Sequence, residues 1–350
     1  MQLARYLRRD LRADAVAGLT VAVMGVPTMA YALIAGLPPA YGLYTAIIPC
    51  AVAALLGSSR HLITGPTNTV CLLTFGLTAH IPPLYDVPLL QVILYLTFLT
   101  GLFQLAFGLF RLGGLVRYVS TSVVIGFTAG AGILILVGEL NNIFGIDISD
   151  VDAQRSFEVL FATLQRIPET HFPTLGIAVL TAAIAVGAPR LDRRLPGALL
   201  GILVTSGAAF LLGWHRPESA LHVQVVRDLE AIPAGVPGFS VPELLQVFDY
   251  ELTRELGIGA LALAVFGCIE ASSIARTLAA TSGQRLNYNR EFVGQGAAKL
   301  AGSFFHCFAS SGSFTRSAVC LKSGGRSRAA GVYSAGWMAL ALIALGPVAN

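Results

Sequence analysis

Apolar segments of near-spanning length recur from one end of this 350-residue chain to the other, at approximately 13–36, 41–57, 67–79, 88–110, 118–138, 173–189, 196–213, 256–280, 291–307, 314–323 and 329–349. Hydrophobic residues make up 55% of the sequence and charged residues only 12%, against roughly 25% charged in a soluble domain. Such a chain has one broad solution, a bundle of membrane-spanning helices. Two of the eleven segments, 67–79 and 314–323, are too short to cross about 30 Å of hydrocarbon as helices. They are expected to be half-helices completed by extended backbone, which lipid tolerates only where protein encloses it.

Charge sets the orientation. With the N-terminus in the cytoplasm and every segment crossing, sixteen Lys and Arg residues fall inside and five outside, and Lys299 and Arg316 lie within the membrane region. The bias follows the positive-inside rule and requires both short segments to count as crossings. The formal net charge of +4 is then a consequence of topology, and no nucleic-acid partner is expected. The first basic run, Arg5 to Arg12, leads into a segment too long for a signal-peptide core. The five cysteines all lie in or beside apolar segments and are expected to serve as small packing residues. Two acidic outer loops, 139–172 and 214–255, carry helical stretches at Ser156–Ile167 and Val241–Leu252.

Arg316 is the residue that this setting makes most informative. A charge at membrane depth is expensive, so it faces a protein interior or a water-filled cavity and marks a functional site by default. It follows Ser310, Ser311, Gly312, Ser313 and Thr315, small polar residues at the start of the second half-helix. The first half-helix opens similarly, with Gly65 and Pro66 breaking the backbone and Thr67, Asn68 and Thr69 as capping residues. Half-helix N-termini carry partial positive charge. Two of them entering from opposite sides, plus Arg316, make a site for an anion near the midplane. Taken singly, the first motif is also what an ordinary loop-to-helix cap looks like, and Arg316 is also what a structural arginine paired to a carboxylate or to helix C-terminal carbonyls looks like.

Glu270 lies in the middle of the segment GALALAVFGCIEASSIARTLA. A carboxyl buried there can take up and release a proton and so serve as a coupling site, or it can hold Arg316 or Lys299 in a structural salt bridge. Sodium, the rival coupling ion, needs several oxygen ligands, and Ile274 one turn on supplies none. In the first segment Pro27 sits mid-helix and is expected to break it, freeing backbone groups beside a cavity lined by Thr28 and Tyr31. The spacing of Gly126, Gly130 and Gly132 suits close helix packing. No Walker loop, metal-binding histidine pair or nucleophile elbow is present, so the expectation is a transporter with no cofactor and no catalytic set, not an enzyme.

These residues resemble a known family. The runs DAVAGLTVAV and MAYALIAGLPPAYGLYTAIIP, then GSSRHLITGPTNTV, FGCIEASSIARTLA, NREFVGQGAAKLAGSFF and GSFTRSAVCLKSGGRSRAAG, are similar to the sulfate permease (SulP) anion transporters over nearly the whole chain. The resemblance implies an all-α polytopic membrane protein with a seven-plus-seven inverted-repeat fold, shared with nucleobase transporters. Two half-helices would each follow a short strand. A core of segments 1–4 and 8–11 would hold the substrate, with segments 5–7 as gate. Transport would be by elevator-like alternating access in a cell inner membrane, with a homodimer as the assembly. Carried over by motif, the anion-site positions are Thr28, Tyr31, Thr67, Asn68, Ser313, Phe314, Thr315 and Arg316, with Glu270 as the acid of the eighth segment. Sulfate is the default cargo; bicarbonate, chloride and dicarboxylates are the alternatives, and a proton or sodium ion the coupling partner. Two further readings stand beside it: an anion channel or sensor, and a nucleobase transporter, against which Arg316 argues. The sequence departs from the family pattern at VPTM, where Pro27 stands in the place of a glutamine. Three closing segments and a cytoplasmic STAS domain are expected beyond residue 350, so the chain reads as truncated before them.

Overall fold

A computed structural model describes residues 10–114, 136–148, 156–191, 197–214, 237–243 and 250–349, with isolated positions between them. In chain order, α1 (Leu11–Val23) is followed by α2 (Thr28–Ile34) and α3 (Pro39–Leu56). Next come β1 (Thr64–Gly65), α4 (Asn68–Thr78), the single turn α5 (Pro82–Tyr85) and α6 (Leu89–Leu109). Then follow α7 (Leu140–Phe144), α8 (Ser156–Gln165), α9 (Phe172–Leu191) and α10 (Gly197–Leu211). The chain continues through α11 (Tyr250–Ser282), α12 (Tyr288–Ser303), β2 (Ser311–Gly312), α13 (Phe314–Lys322) and α14 (Ala329–Ala349). The expected span 118–138 and the amphipathic stretch Val241–Leu252 lie largely outside the described residues.

The lengths follow from the solvent. The 21 residues of α6 contain no charge and reach roughly 31 Å at 1.5 Å per residue, the thickness of the hydrocarbon layer. Helices α3, α9 and α11 are also long and apolar enough to cross a membrane. The first segment is a pair, α1 and α2, bent by 46°. Pro27 caps α2 and has no N–H to continue the ladder. The Thr28 hydroxyl compensates within the break by donating to the Gly25 carbonyl at 2.6 Å. Leu102, Leu109, Ile258 and Ile343 are exposed on the outer helix faces, an arrangement suited to lipid rather than water.

The chain divides into two compact units, Met1–Thr128 with Ile232–Asn350, and Ala129–Ala231. In the second, α9 packs on α10. In the first, a sequence of elements occurs twice: a first span, a helix, a strand leading into a half-helix, and a helix. The earlier set is α1 with α2, α3, β1 with α4, and α6; the later is α11, α12, β2 with α13, and α14. Helices from the two sets interleave, α12 packing against α6 and α3, and α14 against α1 and α3. Ala17, Cys50, Cys320 and Ala330 form the centre of one apolar cluster, and Val70, Leu96, Leu263 and Ala309 that of another. All five cysteines are buried and unpaired by disulfides. Buried threonines satisfy their own helices, as Thr74, Thr97 and Thr100 do by donating to the carbonyls of Val70, Ile93 and Leu96.

Two carboxylates tie helix ends to the loops that cross them. Glu291, at the start of α12, accepts from the Ser58 and Ser59 amides at 2.8 Å each. Asp14, fully buried on α1, accepts from the Arg326 amide at 2.6 Å and the Ser327 amide at 3.0 Å. Glu291 thus holds the turn that follows α3, and Asp14 the turn that follows α13. Replacing Asp14 by alanine would strand two amide donors in a buried site, a loss of about 2 kcal/mol, and is expected to appear as a lowered melting temperature of the purified protein in detergent.

Candidate functional site

The two half-helices begin at one point. Strands β1 and β2 pair antiparallel, Thr64 against Gly312 and Gly65 against Ser311. The pairing continues through the Ser313 amide, which donates to the Ile63 carbonyl at 2.8 Å, and the Ile63 amide, which donates to the Ser317 hydroxyl at 2.8 Å. Extended backbone at membrane depth has no water to satisfy it, so each strand supplies the other's partners. Because the pairing is antiparallel, α4 and α13 leave from opposite ends, with both N-termini next to the strand pair.

The two helix starts are finished differently. Ser313 caps α13, its hydroxyl accepting from the Arg316 amide at 3.5 Å. Thr67 is the cap residue of α4 but makes no side-chain cap bond. Its hydroxyl turns instead toward Glu270, at 3.4 Å from Oε2, so the first-turn amides of α4 keep their capacity for an acceptor. Asn68 is exposed and Thr69 is buried within the first turn, so of the three residues expected to share the cap Thr67 alone holds the cap position, without a side-chain cap bond.

Arg316 is buried, and its Nη2 donates to the Pro66 carbonyl at 2.9 Å. The guanidinium thus reaches from α13 across to the backbone that enters α4. Gly65 makes room for it: a Cβ there would lie 2.6 Å from both Nη1 and Nη2. Gly312 does the same for α11, since its Cβ would lie 3.3 Å from the Ala271 Cα. Tyr31, Cys50 and Cys71 lie within electrostatic range of the guanidinium.

Glu270 is not the residue that holds Arg316. Among the described residues no ion pair joins Glu270 to Arg316 or to Lys299. The carboxylate faces the opening of α4 instead, accepting from Thr67, while the Ser311 hydroxyl donates to the Gly267 carbonyl of α11 at 3.4 Å. The salt-bridge alternative is not formed among the described residues; Arg316 is anchored by a backbone carbonyl, that of the residue before the α4 cap rather than a helix C-terminus, and this one bond uses one of the five guanidinium donors.

The positions named from the sequence fall into three groups. Thr67, Ser313 and Arg316 converge on the strand pair, with Glu270 behind Thr67 and Tyr31 alongside. Phe314 and Thr315 are exposed on the first turn of α13. Thr28 is 1% exposed and its hydroxyl hydrogen is committed to Gly25. An open hollow of about 340 Å³ lined by Tyr85, Glu251, Arg254, Glu255 and Ile258 contains none of these residues.

A buried polar layer behind the strands was not anticipated as a unit. Glu291, Gln295 and Lys299 recur every fourth residue along α12, and all three are buried. Gln295 donates to the Thr64 hydroxyl of β1 at 2.8 Å. Lys299 donates to Gln104 on α6 at 2.8 Å, and Gln104 in turn donates to the Ala264 carbonyl of α11 at 3.0 Å. The spacing was visible in the sequence as one polar helix face; which helices would receive it was not.

Two half-helix starts facing one point, beside a buried arginine in a bundle of apolar spans, define a membrane transporter scaffold. The sulfate permease family model matches residues 11–350, and the chain belongs to that family. Solute carrier family 26 member 6 of Homo sapiens is 32% identical over 98% of this chain and 47% of its own length. The probable sulfate transporter Rv1739c of Mycobacterium tuberculosis is 32% identical over 98% of this chain and 59% of its own length. The chain thus spans about half the length of these curated relatives. Among solved structures, the transmembrane domain of a cyanobacterium bicarbonate transporter, BicA, superposes with a TM-score of 0.85 at 25% identity, over 97% of this chain and 84% of that one. Murine Slc26a9, an anion transporter in the inward-facing state, has a TM-score of 0.84 at 22% identity, over 99% of this chain and 59% of that one. The fold is an inverted-repeat transporter fold, and the family is one of membrane transporters, not enzymes.

The contact at Gly65 is testable without a substrate. Gly65→Ala is expected to push the guanidinium off the Pro66 carbonyl while leaving the strand pair intact. Arg316 should then react faster with phenylglyoxal, read by peptide mass spectrometry, with little change in melting temperature.

Proposed function

We propose that this chain is the membrane part of a secondary transporter of small anions. The observation that carries this is the meeting of α4 and α13 at the strand pair, with the buried Arg316 guanidinium between them. An anion held there accepts from first-turn amides and from Arg316, groups fixed before it arrives. Thr67, Asn68, Ser313, Phe314 and Thr315 line the helix starts, and Tyr31 and Thr28 belong to the broken first span. The unit containing both half-helices is the core that moves with its cargo, and the unit around α9 and α10 acts as gate, in alternating access. Sulfate is the leading cargo, because a divalent anion suits two helix ends plus an arginine and because sulfate transporters are among the relatives; bicarbonate, chloride and dicarboxylates follow. The chain sits in a cell inner membrane with its N-terminus in the cytoplasm, and assembles as a homodimer.

Glu270 is the coupling residue in this reading. Its carboxyl adjoins Thr67 at the mouth of α4, so a proton gained or lost there changes the charge beside the anion. Sodium coupling is less well supported, since Ile274 packs into an apolar cluster with Leu62.

In proteoliposomes, saturable sulfate uptake is expected, falling about a hundredfold or more in Arg316→Ala because an anion then loses the full positive charge at the helix starts. No difference between Arg316→Ala and the parent protein would remove the site. Glu270→Gln is expected to keep anion binding and abolish the response of uptake to an imposed pH gradient; an unchanged response would exclude Glu270 as the coupling group.

A further inference from the structure

A third intramembrane charge lies behind this site. Lys299 is 1% exposed, on α12 between α6 and α11. Its ammonium donates to Gln104 Oε1 at 2.8 Å, and the Gln104 amide is itself fixed on the Ala264 carbonyl. That relay holds Lys299 against α11 at Gly267: a Cβ on Gly267 would lie 4.0 Å from Nζ. Glu270 is three residues further along the same helix, on the same face. Lys299 and Glu270 interact electrostatically although no direct bond joins them. An ammonium has three donors, and Gln104 is the one hydrogen-bond acceptor that Lys299 has among the described residues. A hydrogen-bonding role would be met by a neutral amide, at much less expense than a charge in a low-dielectric interior. The charge itself is what needs explaining.

Arg316 and Lys299 supply two positive charges and an ionised Glu270 one negative, so the empty site keeps a single positive charge. The other titratable groups facing these three are Tyr31 on α2, Cys50 on α3, Cys71 on α4 and Cys268 on α11. The phenol and thiols are neutral near pH 7. Glu291 is occupied at the far end of α12 by the Ser58 and Ser59 amides, with Arg328 nearby. Helix α6 carries no charged residue. Burying net charge is unfavourable, so occupied states that approach neutrality are preferred.

We propose that Lys299 sets how many protons accompany each anion and is what lets the site accept a divalent one. With Lys299 present, a monovalent anion neutralises the site unaided, and a divalent anion does so when one proton moves from bulk water onto the Glu270 carboxylate. Without its charge, the same site is neutral when empty, a monovalent anion requires the proton, and a divalent anion remains uncompensated. Lys299 is thus a specificity-determining residue that acts at a distance from the anion. The proposal rests on the anion-site reading above.

The test is the number of protons taken up per anion bound, by calorimetry of the purified chain in buffers of different ionisation enthalpy, with sulfate and chloride as probes. The parent protein is expected to take up about one proton with sulfate and about none with chloride. Lys299→Gln, which can still bond Gln104, should take up about one proton with chloride and lose at least about tenfold in sulfate affinity. Lys299→Met is a second neutral variant should the first not fold, and Lys299→Arg should match the parent. Equal proton counts for the two anions in the parent, or a neutral variant that keeps the parent's counts and preference, would overturn the proposal. The failure of the underlying reading looks different: neither probe binds the folded parent, Arg316→Ala binds as well as the parent, or Glu270→Gln retains the proton uptake. Any of these would remove both.

Discussion

The fold turns on a strand pair only two residues long on each side. A half-helix leaves half of a membrane crossing to be completed by backbone without internal hydrogen bonds, and hydrocarbon offers no substitute. Here β1 and β2 complete each other, and Ile63, Ser313 and Ser317 extend the exchange. This mutual satisfaction is what brings the two half-helix starts to one place. Arg316 reinforces it from the side, reaching from α13 to the carbonyl just before α4. The same contact that joins the two repeats also places the positive group at the meeting point of the half-helix starts, the site proposed for an anion.

Around that point the polar groups are arranged in shells. The nearer consists of buried Ser311 and Arg316 with half-buried Thr67, Ser313 and Glu270. The farther is the face of α12, where Gln295 bonds Thr64 of β1 and Lys299 bonds Gln104 of α6. A polar group buried in a membrane protein is costly unless paired, so a helix that carries three such residues in successive turns must be surrounded by other helices. Helix α12 is, packing against α3 and α6 and touching α11. Its low apolar content, which would disqualify it as a lone span, fits a position enclosed by protein.

This arrangement connects stability and transport. The unit that carries both half-helices is fastened at its helix ends by Asp14 and Glu291, each accepting from backbone amides of a loop from the other repeat. Such ties hold the two repeats as one body. The proposed transport cycle would need that rigidity, since the donors of an anion site must keep their geometry while the surroundings change. A charge in it is also felt throughout, because the low dielectric transmits Coulomb interactions well beyond contact.

The sequence by itself determined the environment, the number and approximate limits of most described spans, the two half-helices and the break at Pro27, because each depends on local apolar length or on backbone chemistry within a few residues. It singled out Arg316 and Glu270 for the same reason: a charge inside an apolar run is visible without knowing its neighbours. Tertiary structure alone decided their partners. Arg316 is anchored by Pro66, 250 residues away, and not by Glu270; Thr67 turns from capping its own helix to the acid on α11; Thr28 closes the break rather than offering a free hydroxyl. Helical periodicity shows which face of α12 is polar, but not that Gln104 and Thr64 receive it. The physical reason is one of range. Propensity, hydropathy and caps act within a turn or two of helix, while the pairing of buried polar groups is settled by which helices pack together.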